Sequence, residues 1–412
     1  MPPVVESTLS VKADFPIFKR SFAGRELVYL DSAATSQKPE CVIAALADHL
    51  RHHNANIHRG VYQLAQEADA AYDDARKRVA AFTGADPQTT IFTKNVTEAI
   101  NLVAYAWGRA NLGRGDAVLI TQMEHHANIV PWQVLCRERE ASLRYLEVDE
   151  RGEVSLSALQ DELQRGDVAL VAFAHVSNVL GTINPVAEIA AQARAAGAVT
   201  LIDGAQAVPQ MPVDVQAIGA DFYGWTGHKA LGPMGIGVLH ARRELLDGME
   251  PFLTGGDMIS SVDFQSATWN ELPAKFEAGT PMVAEAVGLA AAVEYLGRLD
   301  MERVRAHERE LTANMLERLT ELPWVTPVGP PEAERRGGLV SFTVEGIHPH
   351  DVAELVAREG VCIRAGHHCA QPLMRCLGVG ATARASVGVY NQPADVDALI
   401  EALISARQVF GL

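Results

Sequence analysis

The sequence predicts an α/β protein: a large central unit built on a mostly parallel sheet, followed by a smaller α+β unit. Short apolar runs recur at AVLIT (117–121), LRYLEV (143–148), VALVAFA (168–174) and VTLID (199–203), separated by helix-length segments such as VAEIAAQARAAGA. Most of these runs are rich in β-branched residues, which suit strands, and the spacing suits crossover helices joining parallel strands. At 412 residues and 48% hydrophobic, the chain is long enough to bury a large core and to divide into two or three units.

Taken in order, the N-terminus MPPVVESTLSVKADFP has neither a basic region nor an apolar stretch ahead of a cleavage site, so a cytoplasmic protein is expected. An amphipathic helix, AQEADAAYDDARKRVAAFTG, stops at Gly84, and Thr97 in TKNVTEAIN opens another. A long helical region, 283–321, leads away from the central unit to the Pro/Gly/charge-rich stretch VGPPEAERRGG (328–338). Beyond it come strand LVSFTV, helix HDVAELVAREG, strand VCIRA, a loop, strand RASVGVY and helix ADVDALIEALISARQVF. The expected division is an N-terminal segment 1–25, a large unit 26–290 and a small unit 291–412.

A formal charge of -16 disfavours nucleic acid and anionic membrane as partners, and no apolar run reaches the roughly eighteen residues of a membrane span. Cys41, Cys136, Cys362, Cys369 and Cys376 are odd in number and never spaced C-x-x-C. Reduced thiols are therefore expected, with neither a disulfide framework nor a structural metal.

The chemistry concentrates at strand ends. Asp203 follows the apolar run VTLI, which places it at the carboxyl edge of the sheet, where open α/β sheets bind ligands. Lys229 lies further on in a Gly/Pro-rich turn, TGHKALGPMGIG. A strand-end carboxylate and a loop amine are what pyridoxal phosphate requires, one to keep its ring nitrogen protonated and one to bind its aldehyde covalently. A solvated Asp and a surface Lys would look the same from spacing alone. Thr97 suits a phosphate at a helix start, or an ordinary helix cap. His125 and His126 follow the AVLIT strand, so an imidazole there can stack on a pyridine ring; a surface pair is the plainer reading. In AGHHCAQP (365–372), Cys369 lies outside any periodic run, unlike Cys362 in VCIRA, which reads as a packed strand residue. Imidazoles and the arginines Arg364 and Arg384 should favour its thiolate. Three adjacent ligands, His367, His368 and Cys369, cannot comfortably wrap one tetrahedral ion.

DSAAT (31–35), HRG (58–60), EHHANIVPW (124–132), HVSNVLGTINP (175–185), IDGAQAVP (202–209), TGHKALGPMGIG (226–237), EAGTP (277–281) and RAGHHCAQPLM (364–374) occur in one order along nearly the whole chain. Together they resemble the SufS-type cysteine desulfurases, in the class V branch of fold-type I pyridoxal-phosphate enzymes. The resemblance implies a pyridoxal 5'-phosphate enzyme that converts L-cysteine to L-alanine and an enzyme persulfide, feeding iron–sulfur cluster assembly. Lys229 then matches the lysine bound to the cofactor, Asp203 the partner of its ring nitrogen, Gln206 the donor to its phenolic oxygen, and His125 the stacked imidazole and a candidate proton donor. His126 matches a neighbour without that role. Thr97, Thr226 and His228 match phosphate contacts, with Thr280 reaching across from a second subunit of a homodimer. Arg384 matches the clamp on the substrate carboxylate, beside Asn178, while His58, Arg59 and Arg364 line the same pocket. Cys369 matches the persulfide carrier.

Departures occur at Val96, where a hydroxyl is usual, at Met282, and at Val387, Gly388 and Val389, where the resemblance leads one to expect aromatics. They put the pocket near Arg384 and one phosphate contact in question. The sulfur acceptor implied is SufU-like slightly ahead of SufE-like: His350 matches a histidine that takes over a zinc-ligand position in a SufU-like partner, or else merely starts a helix. Selenocysteine lyase and a non-catalytic cofactor-binding scaffold are the alternatives.

Overall fold

The computed structural model describes residues 9–22 and 24–412; the first eight residues of the N-terminal segment, where a leader would begin, lie outside the described residues. Its centre is a seven-stranded sheet in the spatial order Thr90–Thr93, Gly237–Ala241, Phe222–Thr226, Val199–Asp203, Val168–Ala174, Ala117–Thr121 and Ser142–Leu146. The strands from Phe222–Thr226 to Ser142–Leu146 pair in parallel, and only Gly237–Ala241 runs against its neighbours. The four apolar runs of the sequence are thus contiguous strands. The other three, TIFT, GVLHA and FYGWT, break the apolar pattern with Thr, Gly, His or Trp.

Alternation along each strand feeds two cores. In AVLIT, Ala117 and Leu119 join one apolar cluster while Val118 and Ile120 join the other, as a period of two demands of a sheet covered on both faces. A third cluster gathers Leu30 with residues from Leu311 to Leu403, around a four-stranded antiparallel sheet ordered Val325–Val328, Leu339–Val344, Thr382–Ser386 and Arg364–Gly366. Burying one Leu or Val in such a cluster contributes about 1.5–3 kcal/mol.

Several elements differ from expectation. The helical region 283–321 is two helices, Val283–Leu299 and Met301–Thr320, broken at Asp300, whose φ of 70° leaves the helical range and whose carboxylate accepts from Glu302 N–H at 3.0 Å. VCIRA divides: Val361–Cys362 pairs in parallel with Val28–Tyr29, and Arg364–Gly366 joins the small sheet. RASVGVY leaves the sheet at Ser386; at Gly388 a Cβ would lie 2.9 Å from Ser32 Oγ, so that turn admits only glycine without displacement. The helix ending before Gly84 runs Gln63–Phe82, and Gly84 takes a φ of +66°, as a helix stop requires.

Among the described residues no helix is long and apolar enough to cross a membrane.

Candidate active site

Most of the candidate side chains of the central unit sit at or just beyond strand ends. Asp203 closes the Val199–Asp203 strand, Thr226 closes Phe222–Thr226, and the next turn, Gly227–Lys229, carries His228 and Lys229. His125 follows Ala117–Thr121, and Asn178 follows Val168–Ala174. The helix that starts at Val96 is capped by Asn95, whose Oδ1 accepts from Glu98 N–H at 3.0 Å, so the cap is not Thr97. A Cβ on Gly237 would stand 2.5 Å from the Asn95 Cα, and this absent side chain lets the helix start pack against the sheet.

These ends enclose a cavity of about 260 Å³. Thr97, His125, Asn178, Thr226, His228 and Lys229 line it from the central unit. Arg364, His368, Cys369 and Arg384 line it from the small sheet and its loop. Asp203 is buried behind this lining, where its charge acts on Lys229. Larger hollows of about 420 Å³ exist, one of them sharing Thr97 and His125, but Lys229, Arg364, Cys369 and Arg384 line the smaller one.

Electrostatics inside the cavity follow from burial. Burial pushes the Lys229 amine down to about 8 against the pull of Asp203, which holds it up. Burial likewise raises the Asp203 carboxyl, opposed by the Ala205 N–H that it accepts at 2.9 Å and by Lys229. His125 is pushed down to about 3 by burial, then by Lys229, so its ring is neutral. Its Nδ1 accepts from Ala127 N–H at 3.0 Å, which leaves the ring proton on Nε2. Arg384 is buried and lowered to about 10 by that burial, while Asp31 works the other way; its Nη1 donates to Asn178 O at 2.7 Å.

The donor set fits pyridoxal 5'-phosphate. Thr226 Oγ1 is buried without a hydrogen-bond partner, which a phosphate oxygen would supply, and Arg384 Nε is buried and unpaired, which a substrate carboxylate would satisfy. Val96 lines the cavity with no hydroxyl to offer. Val387 and Val389 are buried in apolar clusters and do not line the cavity.

Not every expected residue is gathered here. Gln206 is buried, but its Nε2 donates to Ala33 O at 2.8 Å and it does not line the cavity. His58 and Arg59 are exposed and outside the lining; His58 N–H donates to Asp69 Oδ1 at 2.7 Å, and Arg59 lies 3.7 Å from Asp257. Thr280 is exposed, also outside the lining, in a segment anchored by Glu277, which takes Arg76 Nη1 at 2.6 Å and Nη2 at 2.7 Å. His350 is exposed on the first turn of the helix Pro349–Arg358, but the helix start is served by His348, whose ring accepts His350 N–H at 3.3 Å. Among the described residues no group of three His, Cys, Asp or Glu could hold a metal ion.

Two residues carry more than their sequence suggested. Asp31 pairs with Arg364 and approaches Arg384 at 3.5 Å; LVYLD repeats the form of VTLID, an apolar run closed by Asp, and that was the available signal. Glu124, buried beside His125, is pushed up to about 7 by burial against hydrogen bonds from Thr121, Asn128 and the Ala174 N–H. Nothing in EHHAN distinguishes it from an exposed glutamate.

Residues 28–399 match the aminotransferase class-V family. A probable cysteine desulfurase of Halobacterium salinarum is 52% identical over 403 residues, covering 97% of each chain. A cysteine desulfurase of Haloferax volcanii is 48% identical, again covering 97% of both. Among solved structures, the apo cysteine desulfurase of Thermococcus onnurineus superposes with a TM-score of 0.92 at 39% identity, covering 98% of each chain. An Escherichia coli cysteine desulfurase reaches 0.89 at 37% identity, covering 97% of this chain and 98% of its own. With this fold and these strand-end residues, the chain belongs to the aminotransferase class-V family of fold-type I pyridoxal-phosphate enzymes, alongside the cysteine desulfurases.

Proposed function

We propose that the protein is a cysteine desulfurase that converts L-cysteine to L-alanine and retains the sulfur as a persulfide on Cys369. The observation that carries this reading is one cavity shared by Lys229, Arg384 and the exposed Cys369. Thr97, Thr226, His228, Lys229 and Asp203 would hold pyridoxal phosphate, which would supply an electron sink for the substrate carbon beside the amine. Thr280 would add its hydroxyl from a second copy.

Arg384 binds the substrate carboxylate through its unpaired Nε. Lys229, with its amine lowered to about 8, is suited to take the α-proton near neutral pH. The Cys369 thiolate attacks the substrate sulfur: a sulfur–sulfur bond forms as the carbon–sulfur bond breaks, and the electron pair of the broken bond stays with carbon. Protonation there, with His125 Nε2–H as the candidate donor, and return of a proton to the α-carbon from Lys229 give alanine. No external oxidant or reductant is consumed, and the persulfide waits for an acceptor, so the kinetics are ping-pong.

A homodimer suits the exposed apolar residues Val262 and Phe264 of the hairpin Ile259–Val262/Ala267–Trp269, and Tyr105, Val130 and Val134 beside the active-site cavity. A large unit 26–290 and a small unit 291–412 suit the separate third apolar cluster in outline, while Leu30 packs into the small unit and Val293, Tyr295, Leu296 and Val304 pack with the central core. A SufU-like acceptor in cytoplasmic iron–sulfur cluster assembly suits the exposed His350. The direct test is alanine and sulfide release from L-cysteine, with and without reductant. A yellow holoenzyme that makes neither contradicts the proposal.

A further inference from the structure

His125 and His126 are adjacent, but they serve different parts of the molecule. His125 lines the cavity, whereas His126 does not and instead meets the loop that carries the cysteine. Its backbone N–H donates to Cys369 O at 2.7 Å, and its ring Nε2 accepts from Gln371 N–H at 3.0 Å. One residue of the central unit thus holds the loop on both sides of Ala370, at Cys369 and at Gln371. A second tie, from Asn178 Nδ2 to His368 O at 2.7 Å, holds the residue just before the cysteine.

The loop needs such ties. His368 and Cys369 take φ values of 50° and 56°, successive left-handed positions without a glycine, each costing roughly 1–2 kcal/mol. Besides these ties, Ala370 N–H donates to His367 O at 2.9 Å, His368 Nε2 reaches Thr382 Oγ1 of the small sheet at 2.9 Å, and Ala370 packs with Met123, Val179 and Leu180, while Cys369 itself is exposed.

We propose that His126 is a positioning residue for the sulfur-accepting step: its ring acceptor fixes the loop so that the exposed Cys369 thiol stays at the rim of the cavity that it lines. This rests on Cys369 being the sulfur acceptor. The bond from Gln371 requires an unprotonated Nε2, so the ring proton is on Nδ1.

The substitutions His126→Ala, His126→Gln and His126→Asn in the holoenzyme test the proposal. A glutamine amide reaches the place of Nε2 and offers an acceptor there; an asparagine amide reaches only the place of Nδ1. Hydrogen exchange of the peptide carrying residues 368–373 should speed up in the Ala and Asn variants and stay near wild type in Gln. Alanine formation should fall about tenfold to hundredfold in kcat for Ala and Asn, with KM within about twofold, and recover in Gln. The cofactor's absorbance change on mixing with L-cysteine should keep its wild-type rate in all three. The proposal is overturned by wild-type exchange and kcat in the Ala variant, by Gln as impaired as Ala, or by an absorbance change slowed as much as kcat. Wild-type enzyme that makes no alanine would instead remove the desulfurase reading, while the exchange comparison would still report whether His126 holds the loop.

Discussion

Asp31 and Arg364 meet through two points, Arg364 Nη2 to Asp31 Oδ2 at 2.9 Å and Nε to Oδ1 at 3.1 Å, and the same carboxylate stands 3.5 Å from Arg384. The Arg364 side is half exposed and contributes little, but Arg384 is buried and has no other carboxylate within ion-pair distance among the described residues. Asp31→Asn should therefore lower stability by about 2 kcal/mol in urea denaturation near neutral pH, less than a fully buried pair because Asp31 is partly open. Since the freed Arg384 binds carboxylates, L-alanine should restore part of that loss. Wild-type stability, or no recovery with L-alanine, contradicts the carboxylate role of Arg384.

Lys229 is the only lysine lining the cavity among the described residues. Borohydride treatment of the holoenzyme should fix the cofactor to the peptide containing Lys229. Lys229→Ala should retain no covalent cofactor and lose turnover by at least about 10³-fold. Turnover of L-cysteine at the wild-type rate in that variant rejects the assignment.

Acid should destabilise the fold in a defined window. Burial lowers His125, His240 and His368 to about 3, and His175 and His228 to about 4, from the ordinary 6.5. Their folded values lie below the unfolded value, so the unfolded chain takes up protons first as pH falls through 6.5 and stability declines toward pH 4. Each contributes a slope of up to about 1.4 kcal/mol per pH unit. His240, held by Thr83, Thr90 and Trp225, does not line the cavity, so denaturation midpoints of His240→Gln should fall less steeply with acid than wild type. An identical slope in the two proteins removes His240 from this account.

His350 stacks on His348 with ring centroids 5.4 Å apart and remains exposed. An exposed imidazole can enter a partner's zinc sphere and free a thiolate to attack the persulfide on Cys369. His350→Ala should abolish stimulation by a zinc-containing SufU-like acceptor and leave the unstimulated rate alone. Stimulation that survives, or that comes only from a SufE-like acceptor, rejects the assignment.

Strand-end chemistry was legible because apolar runs announce strands and a polar residue closing one lands at the carboxyl edge, as Asp203 does. The motif around Lys229 and the aperiodic setting of Cys369 were legible for the same local reason. Pairings between distant segments were not. Nothing in LVYLD specifies that Val28–Tyr29 pairs with Val361–Cys362, or that Asp31 faces two arginines more than three hundred residues away. The resemblance sets His125 apart from His126, but that His126 holds the loop is visible only once Gln371 is brought to it. Thr280, His58 and Arg59 show the same limit, since one chain leaves them outside its own cavity.

The central claim is that Cys369 takes the substrate's sulfur, and one measurement addresses it directly. Holoenzyme is mixed with L-cysteine without reductant, quenched with an alkylating agent, digested and analysed by mass spectrometry, with alanine counted in the same sample. The account predicts one added sulfur atom on the peptide containing Cys369, one alanine per site, and no L-cysteine turnover in Cys369→Ala. Alanine formed with the added sulfur on another cysteine, or Cys369→Ala turning over L-cysteine and L-selenocysteine as wild type does, would contradict it.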